Sequence, residues 1–251
     1  MGRLDGKVAI VTGGGSGIGK AISVLFAKEG ADVIIIGRRK EVLEETCKLD
    51  EKKISYVEGD ITKEESIKNL IEYVDKKFGK LDILVNNAGM SISSPLKDLN
   101  ISNYDKIFNL DVRALVNVTI QCLPLILKSK GNILNISSIV GSICQPAMSM
   151  YSGAKSAINN FTKCWALELA KDGVRVNAIA PGAIDTNIFD KSHGSSEKSN
   201  QFKEYILKHI PLGRFGTPDE VATLALFLVS KEASYITGSI YDIDGGINPY
   251  C

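Results

Sequence analysis

Short runs of apolar residues alternate along this chain with longer amphipathic stretches. The runs "KVAIVTG" (7–13), "DVIIIG" (32–37), "ISYVEGD" (54–60), "LDILVNNAG" (81–89), "GNILNISS" (131–138), "VRVNAIAPG" (174–182) and "SIYDIDGG" (239–246) predict seven strands. Between them, residues 17–30, 40–52, 63–79, 103–130, 151–171 and 218–230 predict helices. Runs such as "VAIVTG" and "DILVNN" have no alternating polar face, as strands covered on both sides must. Strand–helix alternation of this kind gives an α/β fold: a doubly wound, Rossmann-type parallel sheet with helices on both faces. No linker or composition shift divides the chain, so a single domain spanning 1–251 is expected. One segment departs from the regularity. "DKSHGSSEKSNQFKEY" (190–205) is polar and rich in Ser and Lys, and residues 186–215 around it are expected to form a lid over a pocket.

Composition changes this picture little. Thirty basic against 29 acidic side chains leave no charge field for nucleic acid or an anionic membrane surface. The first apolar run breaks into glycines after a few residues, so no signal peptide is expected, and no stretch is expected to reach transmembrane length. Cys47, Cys122, Cys144, Cys164 and Cys251 are dispersed without a CxxC pair. That pattern suits reduced thiols in a cytoplasmic protein better than a disulfide framework or a zinc site. With only His193 and His209 available, no metal site is expected.

Two places carry chemistry. "VTGGGSGIG" joins the first strand to the first helix, and Gly13, Gly17 and Gly19 supply a tight turn, a close approach to pyrophosphate and close helix–sheet packing. The helix N-terminus that follows presents free N–H groups and a positive dipole end to phosphates. In "MYSGAKSAINNF" (150–161), Tyr151 and Lys155 are four apart and share one helical face. Alone, that pair reads first as a solvated surface couple, because any Tyr and any Lys can fall four apart.

The spacing Gly-x3-Gly-x-Gly, "NNAG" (86–89), Ser138, Tyr151-x3-Lys155 and "PG" (181–182), in this order, resemble the short-chain dehydrogenase/reductase family over about residues 5–248. Within it the chain looks most like the 3-oxoacyl-carrier-protein reductase, glucose dehydrogenase and hydroxysteroid dehydrogenase group. The resemblance implies hydride transfer between a nicotinamide cofactor and a ketone or secondary alcohol. Asn109, Ser138, Tyr151 and Lys155 would then be the catalytic residues. Tyr151 would exchange the proton, with its pKa drawn down by Lys155. Ser138 would donate to the substrate oxygen, and Asn109 would bend its helix and hold a water leading to Lys155. Cofactor contacts carry over to Gly13, Gly15, Ser16, Gly17, Ile18 and Gly19 in the turn, to Asp60 and Ile61 at the adenine, and to Asn87 at the adenosine ribose. Tyr151 and Lys155 at the nicotinamide ribose, and Ile184 and Thr186 at the carboxamide, complete the set.

Cofactor choice turns on the end of the second strand. NAD enzymes place an acid there for the ribose 2′-hydroxyl. This chain has Gly37, Arg38 and Arg39 instead. A guanidinium grips a 2′-phosphate with paired hydrogen bonds, so NADP(H) is favoured, with Arg38 as principal ligand. Many NADP-preferring relatives carry a second basic residue in the glycine turn; here Ser16 stands there.

Two helices are apolar too far round to be satisfied by one sheet face. The long helix carries Ile107, Phe108, Leu110, Val112, Leu115, Val116, Val118, Ile120 and Leu123, and the Tyr151 helix carries Ile158, Phe161, Cys164, Trp165, Leu167 and Leu169. The excess, with the resemblance, implies a homotetramer. The substrate stays open. Ile143, Cys144, Gln145, Met148, Phe189 and Phe202 suggest an apolar pocket, with Gln145 as the orienting amide beside Ser138 and Tyr151. A 3-oxoacyl thioester and a hydroxysteroid fit equally. The readings from other classes are an NADP(H)-sensing regulator without turnover and an interaction protein with a relic site.

Overall fold

The computed structural model describes residues 2–186 and 203–248. The central part of the expected lid, with Phe189, His193 and Phe202, lies outside the described residues. Seven strands form one sheet in the order β3-β2-β1-β4-β5-β6-β7. They are β1 (Val8–Thr12), β2 (Asp32–Gly37), β3 (Ile54–Glu58), β4 (Ile83–Asn86), β5 (Asn132–Ile136), β6 (Arg175–Pro181) and β7 (Ile240–Ile243). Every neighbouring pair is parallel. The helices are α1 (Gly17–Lys28), α2 (Lys40–Cys47), α3 (Glu64–Phe78), α4 (Ile101–Ile107), α5 (Leu115–Ser129), α6 (Ser149–Leu169) and α7 (Pro218–Val229).

Strand pleating explains the uninterrupted apolar runs. Successive side chains point to opposite faces, and here both faces are core. Ala9, Val11, Val33, Ile35, Ile83 and Val85 enter one cluster with Ile22 and Phe26 of α1 and Val221 and Ala225 of α7. Val8, Ile10, Ile34, Ile36 and Leu84 enter the other, with Leu70 of α3 and Val118 and Cys122 of α5.

The predicted helix over 103–130 is longer and less regular than its periodicity suggests. α4 runs without a break through a π-helical turn, Phe108–Ala114, into α5. The continuous helix, Ile101–Ser129, is long and apolar enough by length and composition to cross a membrane. This corrects the expectation that no stretch reaches that length. Val118, Cys122, Leu125 and Ile126 nonetheless bury against the sheet, the packing of a core helix.

Chain order places a switch point between β1 and β4. From β1 the chain winds outward to β3, then returns to pair β4 on the other side of β1. The carboxyl ends of these two strands bound the crevice where ligands bind in this architecture. The opposite end of the sheet is pinned by Asp82, only 3% exposed. Its carboxylate accepts from Lys7 Nζ at 2.8 Å and from the Val8 N–H at 3.0 Å, and pairs with Lys80 Nζ at 2.9 Å. Burial pushes this carboxyl up, but the hydrogen bonds from Lys7, Lys80 and Val8 outweigh it and hold the pKa below the ordinary value. A depressed carboxyl contributes stability above its unfolded pKa, near 4, and loses it as pH falls through the folded value. Asp82→Asn should therefore destabilise the protein by about 1–3 kcal/mol at neutral pH, with the deficit shrinking below about pH 4. Denaturant titrations at stepped pH test this; a deficit unchanged in acid would contradict it.

Candidate active site

The crevice begins at the glycine turn. Gly13 has φ +68°, a left-handed conformation that side chains resist, and its N–H closes on the Ile36 carbonyl at 2.8 Å. At Gly19 an added Cβ would stand 2.4 Å from Asn87 Nδ2 and 2.5 Å from the Gly13 oxygen, so the helix can approach the strand only without one. Ser16 caps α1 in extended conformation, and its side chain makes no capping hydrogen bond. The first-turn N–H groups, including Ile18 beside Gly17, thus face the crevice without a side-chain acceptor from Ser16. Gly15 lies against Val42, and a Cβ on Gly17 would meet Thr186 at 3.4 Å, which brings Thr186 to the turn. This cradle of backbone donors, closed to Cβ atoms, fits a pyrophosphate.

From β4, Asn87 braces the turn. Its Nδ2 donates to the Thr12 carbonyl at 2.8 Å, while the Thr12 hydroxyl accepts from the Asn87 and Ala88 N–H groups at 2.9 and 3.0 Å. Arg38 and Arg39 follow β2, both exposed. Asp60, past β3, accepts from the Thr62 N–H and hydroxyl. Burial raises its pKa, yet Thr62, Arg38 and Lys63 together bring it below the ordinary value. Ile61 beside it is buried. Ile184 is buried and bridges Gly216.

β5 delivers Ser137 and Ser138 to the same crevice in opposite senses. Ser137 is buried, donating to Asn159 Oδ1 at 2.6 Å and to the Lys155 carbonyl at 3.3 Å, and so fastens α6 to the sheet. Ser138 instead donates to the Pro181 carbonyl at 3.4 Å and lies near enough to the Tyr151 phenol to favour its ionised form. Tyr151 and Lys155 both rise inward from α6, at 9% and 4% exposure. Lys155 Nζ stands 5.4 Å from the centre of the Tyr151 ring and donates to the Ile136 carbonyl at 3.1 Å. Burial decides the sign at Tyr151. It pushes the phenol up; Lys155 and Ser138 pull it down, Asp111 pushes it further up, and the net pKa lies above the ordinary value. The expectation that Lys155 would draw it below 10 is thereby corrected in direction, although Lys155 acts with the expected sign. At Lys155, burial lowers the pKa but Tyr151 and Asp111 more than restore it, leaving it raised.

Asp111 is a site residue that spacing along the chain did not point to. This carboxylate is wholly buried in the π-helical turn, its Oδ1 accepting from the Met90 N–H at 2.9 Å and its Oδ2 3.3 Å from Lys155 Nζ. Asn109, two residues earlier, is exposed in an open surface groove with Phe108, Val112 and Arg113. The structure therefore turns Asp111, not Asn109, toward Lys155. The available signal was a lone acid inside the apolar stretch "FNLDVRALV".

Around the phenol lies a small apolar cluster of Ile139, Val140, Ile143, Ala183, Ile210 and Ile247, with Met148, Ile206 and Phe215 packed on it. Gln145 is half-buried on the adjoining loop, where Ala147 holds φ +65° and its carbonyl accepts from the Ser94 N–H. Among the described residues, no group of three or more His, Cys, Asp and Glu could hold a metal ion.

Comparison with known proteins gives the geometry a lineage. Residues 13–248 match the family described as enoyl-(acyl carrier protein) reductase. The chain is 42% identical over 249 residues to the 3-oxoacyl-[acyl-carrier-protein] reductase FabG of Thermotoga maritima, covering 98% of this chain and 99% of that one. It is 38% identical over 249 residues to the Chlamydia muridarum reductase of the same name, covering 97% and 98%. Over 256 residues it is 39% identical to the uncharacterized oxidoreductase YxbG of Bacillus subtilis, covering 100% and 94%. A crystal structure of a Caenorhabditis elegans short-chain dehydrogenase/reductase of unknown function, solved with cofactor, superposes with a TM-score of 0.92 at 36% identity, covering 98% and 97%. With its parallel seven-stranded sheet, its glycine turn at the switch point and its Ser138, Tyr151 and Lys155 gathered at one crevice, the chain is an oxidoreductase that belongs to the short-chain dehydrogenase/reductase family.

Proposed function

We propose that the protein is an NADP(H)-dependent reductase of ketones, with the reverse oxidation of secondary alcohols, and that Tyr151 is its proton-exchanging group. The observation that carries this reading is the meeting of Ser138, Tyr151 and Lys155 beside the glycine cradle. When bound, the nicotinamide supplies the hydride. The chain's own residues handle the rest. Ser138 donates to the carbonyl oxygen and Tyr151 gives it a proton as negative charge develops there. Lys155 holds the nicotinamide ribose and counters charge on the phenol. The turn from Gly13 to Gly19 receives the pyrophosphate, Asp60 and Ile61 the adenine, Asn87 its ribose, and Ile184 and Thr186 the carboxamide. Arg38, assisted by Arg39, pairs with the 2′-phosphate; their exposure past β2 leaves the guanidinium groups open to it.

Among carbonyl substrates, 3-oxoacyl thioesters come first. Two relatives spanning nearly the whole chain bear that activity in their names, and the apolar cluster beside Tyr151 suits an acyl chain. Gln145 would orient the polar end. A homotetramer accords with exposed Ile120 and Leu127 on α5 and Leu167 on α6, which are 61%, 37% and 81% exposed; a cytoplasmic place accords with the dispersed, unpaired cysteines among the described residues. The nearly neutral charge supports a small-molecule substrate and no nucleic-acid or membrane partner.

Loss of nicotinamide absorbance with acetoacetyl thioesters, oxo-steroids and small diketones tests the reaction, NADPH against NADH. Thioester turnover with NADPH is the expected result. Tyr151→Phe should lower kcat by at least about 100-fold while cofactor fluorescence still reports binding; near-normal turnover in that variant would overturn the assignment. Arg38→Asp should weaken NADPH binding by at least about tenfold more than NADH binding, the loss of one charge-assisted pair. Equal loss for both cofactors would remove Arg38 from the phosphate site.

A further inference from the structure

Asp111 is costly as a structural residue. Its side chain is wholly buried, it meets one backbone N–H, from Met90, and its Oδ2 makes no aligned hydrogen bond although Lys155 Nζ is 3.3 Å away. A buried carboxylate so thinly satisfied costs more than an apolar side chain of its size would. The neighbourhood is shaped to admit it. An added Cβ at Gly89 would stand 2.9 Å from Oδ2 and 3.4 Å from Lys155 Nζ. The π-helical turn, a feature that recurs at functional sites, presents Asp111 inward.

We infer that Asp111 is a positioning residue: it holds the Lys155 ammonium against the Ile136 carbonyl, and its negative charge opposes ionisation of Tyr151, so that it sets the pH at which the phenol exchanges its proton. This rests on the proposed role of Tyr151. The groups facing the carboxylate are few. From α6 come Lys155 and, beyond it, Tyr151; from the segment after β4 come Gly89 and the Met90 N–H; β5 contributes the Ile136 carbonyl that shares Lys155. Lys155 and Asp111 act on the phenol with opposite signs, the cation favouring phenolate and the carboxylate disfavouring it. Removing the carboxylate's charge leaves the cation unopposed.

Asp111→Asn keeps size and hydrogen-bonding while deleting charge. The basic limb of the ketone-reduction profile, and the acid limb of alcohol oxidation, should both move to lower pH by about one unit. A merely structural residue would change kcat or melting temperature and leave the limbs in place. A readout without turnover accompanies it: ultraviolet phenolate titration, taken as the difference between each protein and its Tyr151→Phe counterpart, isolates this one phenol. It should titrate lower in Asp111→Asn by the same amount. If no carbonyl compound is turned over, the proposed reaction fails while the titration still decides the role of Asp111. If Asp111→Asn does not fold, Gly89→Ala displaces the carboxylate without deleting it, and should shift the phenol in the same direction. A Tyr151 titration that coincides with wild type in the folded variant overturns the inference.

Discussion

A lysine ammonium with almost no contact with water is the constraint around which this site is built. Stripping such a cation of its hydration costs several kcal/mol unless close partners replace the water. Lys155 finds three, each from a different part of the chain: the carbonyl ending β5, the Asp111 carboxylate in the π-turn, and the ring of Tyr151 one helical turn away. Each partner fixes a larger element. The Ile136 contact sets how α6 lies across the sheet, and Ser137 reinforces it through Asn159 and the Lys155 carbonyl. The Asp111 contact accompanies a widened turn in the long helix between α4 and α5, where an ordinary turn would have cost less.

Legibility in the sequence follows the range of the interactions. The strands were readable because burial on both faces writes an unbroken apolar run, and Val8 through Val11 indeed alternate between two cores. The glycine turn and the Tyr151–Lys155 pair were readable because spacing of a few residues is local geometry. The inward turn of Asp111 was not. A period of 3.6 assigns helix faces only while the helix stays regular, and the π-turn breaks the count within "FNLDVRALV". The direction of the Tyr151 pKa was hidden for a related reason: sequence reveals the lysine four residues on, but not the burial or the distant carboxylate that outweigh it.

The two ends of the sheet divide the work of stability and function. At the amino-terminal edge, Asp82 ties Lys7, Lys80 and β1 together, and its backbone carbonyl accepts from Asn132 of β5. At the carboxyl-terminal edge, neutral polar side chains do the joining. Asn86 donates to Thr119 of α5 and to Asn135, which in turn donates to Thr162 of α6; Thr12 closes the β4 turn. Buried amides and hydroxyls joined in this way hold strands and helices in one register without bringing further charge to the crevice. The ionised groups there can then be few and close, and each acts strongly on the others.

That economy couples the two buried partners of the site. Burial and the Asp111 charge raise the Tyr151 phenol against the pull of Lys155 and Ser138, and the net shift is upward. Lys155 stays charged for the same reasons that Tyr151 stays neutral, because the carboxylate that opposes the phenolate supports the ammonium. One buried acid thereby raises the pKa of both partners, so the phenol and the ammonium answer to a single charge in the π-turn.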